Sequence, residues 1–146
     1  MPNKTDALLQ LDNQLCFALY SASLAMTKVY KPHLDAMGLT YPQYLAMLAL
    51  WERDGLMVSE LGEKLYLDSG TLTPLLKRLE ASGLITRIRD VQDERRVHIT
   101  LTAAGRKLKS SAAKIPACIL SASQCSISEI SSLTRQVQAL RQHLVA

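Results

Sequence analysis

Cys16 is the residue whose side chain could carry a reaction in this chain. On a helical wheel Tyr20, Ser23, Thr27 and Tyr30 fall within about 40° of it, so a polar strip runs along a segment otherwise rich in Leu, Ala and Met. A thiolate is a nucleophile and an acceptor for tyrosine hydroxyls, and a peroxide converts it to a sulfenic acid. The plainer role for a cysteine among apolar neighbours is that of a small buried hydrophobe. No Lys, Arg or His stands three or four residues from Cys16, and Asp12, four before it, would oppose ionisation if close. Activation would have to come from helix N-terminal N–H groups and the tyrosine hydroxyls. On one helix Cys16 and Tyr30 would lie about 21 Å apart at 1.5 Å per residue, so a site that uses both takes Tyr30 from a second chain.

A second constellation is cationic. Leu72, Leu75, Leu76 and Leu79 recur at helical spacing, and the opposite face is centred on Gly70, Pro74 and Lys77, flanked by Thr71, Thr73 and Arg78, with Ser69 at the start. Small side chains let a helix approach a groove closely, hydroxyls bond bases or phosphates, and cations neutralise phosphates. On an isolated helix such a face would more often be mere solvated surface. Here Arg87, Arg89, Arg95 and Arg96 follow on a hairpin pattern, where Asp90, Asp93 and Glu94 nearly cancel them in sum. A carboxylate such as Asp93 beside an arginine orients the guanidinium rather than erasing it, and Arg95 is the expected tip residue.

The elements that must position these groups are mostly helices. Asp12 or Asn13 can cap a long helix running to about Ala36 and ended by Gly38, with Leu15, Ala18, Leu19, Ala22, Met26 and Val29 as its apolar stripe. Thr40 to Gln43 reads as a capping box with Pro42 in the tolerated first turn, and Asp54-Gly55 closes that helix. Ser59 caps a short helix, and Asp68-Ser69 opens the leucine-faced one, which Gly83 stops. Pro74 is awkward there: a start at Ser69 makes it interior, a start at Thr71 puts it in the first turn. Residues 84–89 and 96–101 then alternate as two strands around the polar loop Asp90 to Arg95. Thr102 caps a helix from Ala103 to about Ile115, ended by Pro116, and Ser126 to Glu129 is a further capping box. Ile130, Leu133, Val137, Leu140 and Leu144 step as a heptad seam, which suggests a helical dimerisation layer shared with the first long helix.

Length and composition agree. A chain of 146 residues is one domain's worth, and 48% hydrophobic with 21% charged residues excludes disorder or a fibrous repeat. Aromatics make up only 5%, so the core is built from aliphatic residues, which favours helices. The net charge of +4 gathers late, with six cations against one anion from residue 99 on, compatible with a polyanionic partner. The apolar stretches are too short for a membrane span, and the polar opening residues do not read as a secretory signal. Three cysteines without a C-x-x-C pair fit reduced thiols in the cytoplasm. His33, His98 and His143 do not cluster with cysteines, and phosphate-cradling glycine motifs are missing, so neither metal nor cofactor is expected.

Helix, short helix, helix and hairpin is the order of a winged helix-turn-helix, and the residues carry a sharper likeness. Asp93-Glu94-Arg95, followed by Leu101-Thr102-Ala103-Ala104-Gly105, resembles the wing and exit signature of the MarR family of bacterial transcriptional regulators. Residues 67–79 resemble the recognition helix of its organic hydroperoxide resistance regulators (OhrR-like, two-cysteine type), and residues 11–20 with 39–44 are similar to that subgroup's N-terminal hallmark.

The resemblance covers nearly the whole chain. It implies a single mainly α fold with a small β-hairpin wing: residues 12–37 and 103–146 as the helical dimerisation region, residues 40–102 as the winged helix-turn-helix. It further implies a homodimeric repressor of operator DNA, not an enzyme. On the same resemblance, Cys16 of one protomer would be met by Tyr30 and Tyr41 of the other and oxidised by organic hydroperoxides. In two-cysteine members an intersubunit disulfide follows, and Cys118 or Cys125 brackets the region of the resolving thiol, with Ser121 where that thiol would be sought. Ser69, Gly70, Thr71, Thr73, Pro74, Lys77, Arg78, Arg87, Asp93, Arg95 and Arg96 are the expected DNA contacts. A repressor released by a phenolic or lipophilic ligand, with Cys16 only lining the pocket, is the nearest competing reading, and a thiol peroxidase a remote one.

Overall fold

The structure is a computed structural model and describes residues 3–145. Eight helices and a small sheet follow in the order α1 (Lys4–Leu8), a 3-10 turn (Leu11–Asn13), α2 (Leu15–Met37), α3 (Tyr41–Glu52), β1 (Leu56–Met57), α4 (Val58–Leu65), α5 (Ser69–Ala81), β2 (Ile85–Arg89), β3 (Val97–Leu101), α6 (Ala103–Ala112), α7 (Ile115–Ser123) and α8 (Ile127–Val145). They group into two compact units, residues 31–113 and the described residues before and after them.

The first unit is a winged helix-turn-helix with its own core. Met47 and Leu50 of α3, Leu61 of α4, Leu72, Leu76 and Leu79 of α5, and Leu56, Ile85 and Ile99 of the strands are all fully buried. The capping box at Thr40 forms as the residue types require: its hydroxyl accepts from the Gln43 N–H at 3.3 Å, and the Gln43 side chain accepts from the Thr40 N–H at 2.9 Å. Gly83 ends α5 with φ +78°, while its N–H and that of Leu84 bond back to the Glu80 and Leu79 carbonyls at 2.9 and 3.1 Å. The hairpin pairs Arg87 with Ile99, and β1 adds a third antiparallel strand through Leu56 opposite Ile99.

At the exit from the wing, the Thr102 hydroxyl accepts from the Gly105 N–H at 3.0 Å and donates to the Gly83 carbonyl at 2.6 Å. It thus caps α6 and ties it to the end of α5. A Cβ on Gly105 would run into the Leu84 carbonyl oxygen, so only glycine lets α6 approach this closely. Trp51 also donates its indole N–H to the Gly105 carbonyl at 2.9 Å. Thr102→Ala is expected to lower the unfolding free energy by about 1–2 kcal/mol, read as a lower urea midpoint at an unchanged slope.

In the second unit, among its described residues, only Ile115 is buried. Leu15, Tyr20, Leu24 and Met26 on α2 and Leu133, Val137 and Leu144 on α8 are exposed in the single chain, as are Leu8, Leu9 and Leu11 near the start.

Four local expectations are corrected. Asn13 does not cap α2: its amide donates to the Ala7 carbonyl at 2.7 Å, and Gln14 donates to Leu8 at 2.7 Å, so both serve the end of α1, and α2 starts at Leu15. Ser59 lies inside the first turn of α4, whose N-cap is Met57 at the end of β1; the Glu60 carboxylate accepts the Met57 N–H at 3.0 Å. Pro116 begins α7 rather than ending α6, because a missing N–H costs nothing in a first turn. The wing sheet has three strands, not two. The start of α5 at Ser69 makes Pro74 interior, so the Gly70 carbonyl receives no N–H from it.

Candidate functional site

The two faces of α5 divide its work. Leu72, Leu75, Leu76 and Leu79 point into the core, and Ser69, Gly70, Thr71, Pro74, Lys77 and Arg78 are exposed, with Thr73 half-buried. Asp68 caps the helix by accepting the Thr71 N–H at 2.8 Å, and this bond holds its carboxyl below the usual range. A groove of about 880 Å³ opens between α4, α5 and the wing, and Asp68, Ser69, Thr73, Arg87, Arg95 and Arg96 are among its walls.

The wing arginines are held in different ways. Arg87 gives its Nε and Nη2 to Glu80 Oε1 at 3.2 and 3.1 Å, which ties β2 to α5 and keeps Glu80 low in pKa. Arg89 donates to the Glu94 carbonyl at 3.2 Å. Asp93 accepts from both the N–H and the Nε of Arg95, at 3.1 and 3.2 Å, and lies 4.0 Å from Arg96. The Arg95 side chain is nonetheless 92% exposed, so the carboxylate aims the guanidinium while its other donors face outward.

A residue that sequence reasoning set aside completes this wing. His98 on β3 has Nε2 at 3.1 Å from Asp90 Oδ2 and Nδ1 at 3.4 Å from the Gly55 carbonyl. Asp90 Oδ1 in turn accepts the N–H groups of Gln92 at 2.8 Å and Asp93 at 3.4 Å. Asp90 is shifted down, chiefly by the Gln92 N–H and then by His98, and His98 is shifted up, chiefly by Asp90. The only sequence signal was a His in strand register with a loop Asp.

Cys16 is exposed and is the second residue of α2, in the turn whose N–H groups lack helical partners. Tyr30 lies on the same unbroken helix, so the axial separation of about 21 Å rules out contact with Cys16 of its own chain. Tyr41 starts α3, its ring 6.3 Å from that of Tyr44, and burial raises the pKa of its hydroxyl. Cys118 on α7 and Cys125 just before α8 are half-buried, and the Cys125 thiol donates to the Ser123 carbonyl at 3.4 Å. Among the described residues no His, Cys, Asp and Glu group could hold a metal ion, and no helix is long and apolar enough to cross a membrane.

Known proteins share this fold. The family model of the transcriptional regulators SarA/Rot matches residues 28–112. The organic hydroperoxide resistance transcriptional regulator of Bacillus subtilis is 53% identical over 144 residues, 99% of this chain and 97% of its own. The solved structure of reduced AbfR bound to DNA superposes with a TM-score of 0.79 at 34% identity, covering 97% of this chain and 99% of that one. AbfR, known from Staphylococcus epidermidis, also has a disulfide form, which superposes at 0.63 with 36% identity over 93% and 96% of the two chains. These proteins are transcriptional regulators, and the chain belongs with them to the SarA/Rot and MarR-type winged-helix family, as a relative of its organic hydroperoxide resistance regulators.

Proposed function

We propose that the protein is a redox-sensing repressor that binds operator DNA as a homodimer in the cytoplasm and is released when organic hydroperoxide oxidises Cys16. The observation that carries the reading is the position of Cys16. It is exposed, in the first turn of a helix that has almost no buried residue of its own chain and whose Tyr30 it cannot reach. The exposed apolar residues of α2 and α8 need a cover, and a second copy of the same layer provides one. A crossing α2 pair then brings Tyr30 and Tyr41 of one protomer to Cys16 of the other.

The chemistry balances without a cofactor. The Cys16 thiolate attacks the outer oxygen of the hydroperoxide, the O–O bond breaks, sulfur becomes a sulfenic acid, and the alkoxide leaves as the alcohol after taking a proton. The thiol of Cys118 or Cys125 from the partner then attacks the sulfenic sulfur; a disulfide forms and water leaves. Strain on the dimer layer changes the separation of the two α5 helices, which no longer fit half-sites about 34–36 Å apart, and a peroxide-detoxifying gene is derepressed.

On the duplex, α5 enters the major groove through Ser69, Gly70, Thr71, Thr73, Pro74, Lys77 and Arg78, while Arg87, Asp93, Arg95 and Arg96 serve the wing. Arg95→Ala is expected to weaken duplex binding about tenfold near 0.1 M salt and to reduce the salt slope by about one. Gel shift of the purified protein on its own upstream region, before and after organic hydroperoxide, tests the whole reading. Release on oxidation supports it, and a complex that survives full oxidation of Cys16 removes it. One competing reading is release by a small phenolic or lipophilic ligand from a pocket that Cys16 merely lines; Cys16 is not among the walls of the groove beside α5. That reading predicts peroxide-insensitive DNA binding in both wild type and Cys16→Ser.

A further inference from the structure

Both ring nitrogens of His98 face oxygen acceptors: Nε2 the Asp90 carboxylate, Nδ1 the Gly55 carbonyl. A neutral imidazole carries one N–H and can satisfy only one of them, whereas the imidazolium donates to both. The geometry is therefore built for the charged ring. It adds a side-chain link between three pieces that the sheet already brings together: the turn after α3 that holds Gly55, strand β3, and the loop that begins at Asp90. From Asp90 the chain of bonds runs on through the N–H groups of Gln92 and Asp93 to the carboxylate that aims Arg95.

We propose that protonated His98 is a positioning residue for DNA recognition, a clamp that sets the wing loop and through it the Arg95 guanidinium, so that duplex affinity falls when His98 loses its proton. The inference rests on the DNA-binding reading but not on the redox one. The charged groups around His98 favour the cation. Asp90 faces it from the loop, and Glu60 from α4, itself 3.9 Å from Arg53 at the end of α3. Asp54, next to Gly55, is occupied by the N–H groups of Gly55 and Leu101 at 2.9 Å each. Of the nearby cations, Arg89 on β2 is held by the Glu94 carbonyl and Arg106 on α6 by the Leu101 carbonyl.

The sign follows. The folded-state pKa of His98 lies above its ordinary 6.5, so the clamp is complete below that value and is lost as pH rises through the raised pKa. At the other end it needs ionised Asp90, whose pKa is depressed, so it persists down to below the usual 3.8. A bound duplex adds phosphate charge and orders the wing, which raises the His98 pKa further. Linkage then requires affinity to fall about tenfold across the titration for each unit by which the duplex raises that pKa.

The test uses the reduced full-length protein and a duplex selected from random sequence by the wild type, at constant ionic strength between pH 5.5 and 8.5. Imidazole resonances of His98 are followed with and without duplex, and Kd is measured for wild type, His98→Gln and Asp90→Asn. The expected result is a His98 pKa above 6.5, raised by about one unit when duplex binds. Wild-type affinity should fall about tenfold across that range, beyond any fall in His98→Gln, and Asp90→Asn should lower the His98 pKa. A His98 that titrates at or below 6.5, or a wild-type profile parallel to that of His98→Gln, overturns the clamp and leaves DNA binding standing. Failure to retain any duplex at any pH overturns the DNA-binding reading, and the clamp with it, whatever the titration of His98.

Discussion

Cys16→Ser leaves a protein that grips its operator as the wild type does but is not released by organic hydroperoxide: the response is lost completely rather than weakened. Serine nearly matches cysteine in size, so the α2 turn and its neighbours have no reason to move. Serine carries no sulfur, however, so peroxide makes no sulfenic acid at this position and no disulfide can follow. Removal of the resolving thiol has a different outcome. Among Cys118→Ser and Cys125→Ser, one variant should still be oxidised at Cys16 yet fail to form the crosslinked dimer on non-reducing electrophoresis, and that variant identifies the resolver. A Cys16→Ser protein released by peroxide with wild-type dose dependence would transfer the sensing to another residue.

The second large effect separates the two faces of α5. Leu79 is fully buried, and Leu79→Ala is expected to cost about 2–5 kcal/mol through lost burial and the cavity left behind. Against a typical total of about 5–15 kcal/mol this removes much of the stability of the winged unit, and DNA binding goes with it. Lys77, two residues earlier on the exposed face, should behave in the opposite way: Lys77→Ala keeps the unfolding free energy within about 0.5 kcal/mol while lowering duplex affinity and reducing the salt slope by about one. Urea denaturation and anisotropy titrations at several salt concentrations measure both. Equal losses of stability in the two variants would contradict the assignment of faces.

The legible parts of this fold were those where local chemistry leaves one solution. Four leucines at helical spacing followed by Gly83 define α5 and its end, and Thr40 with Gln43 defines the start of α3, because caps and amphipathic spacing are local. What escaped was decided elsewhere in the chain. Pro116 is as compatible with the first turn of a helix as with the residue after one, and the short link from Ala112 to Ile115 decided for the former. Asn13 had two possible customers, and the carbonyls at the end of α1 took it. Strand β1 is two residues long and exists because β3 offers an edge, which no window around Leu56 reveals.

The candidate site divides the same way. The exposed face of α5 and the Asp93–Arg95 pair could be read from spacing, since both are short-range. The His98 link to Asp90 and Gly55 could not, because it joins residues 8 and 43 positions apart whose meeting depends on strand register. Tyr30 and Tyr41 were associated with Cys16 through resemblance, and helix length alone shows that Tyr30 cannot serve the thiol of its own chain.

The central claim is that oxidation of one sulfur controls the grip on DNA. It is tested most directly by titrating the wild-type complex on its duplex with substoichiometric organic hydroperoxide while peptide mass spectrometry follows Cys16 and anisotropy follows the bound fraction. Release should rise in step with the fraction of Cys16 converted and reverse on addition of a dithiol reductant. A duplex that stays bound after Cys16 is fully converted, or that leaves while Cys16 is still a thiol, would contradict the account.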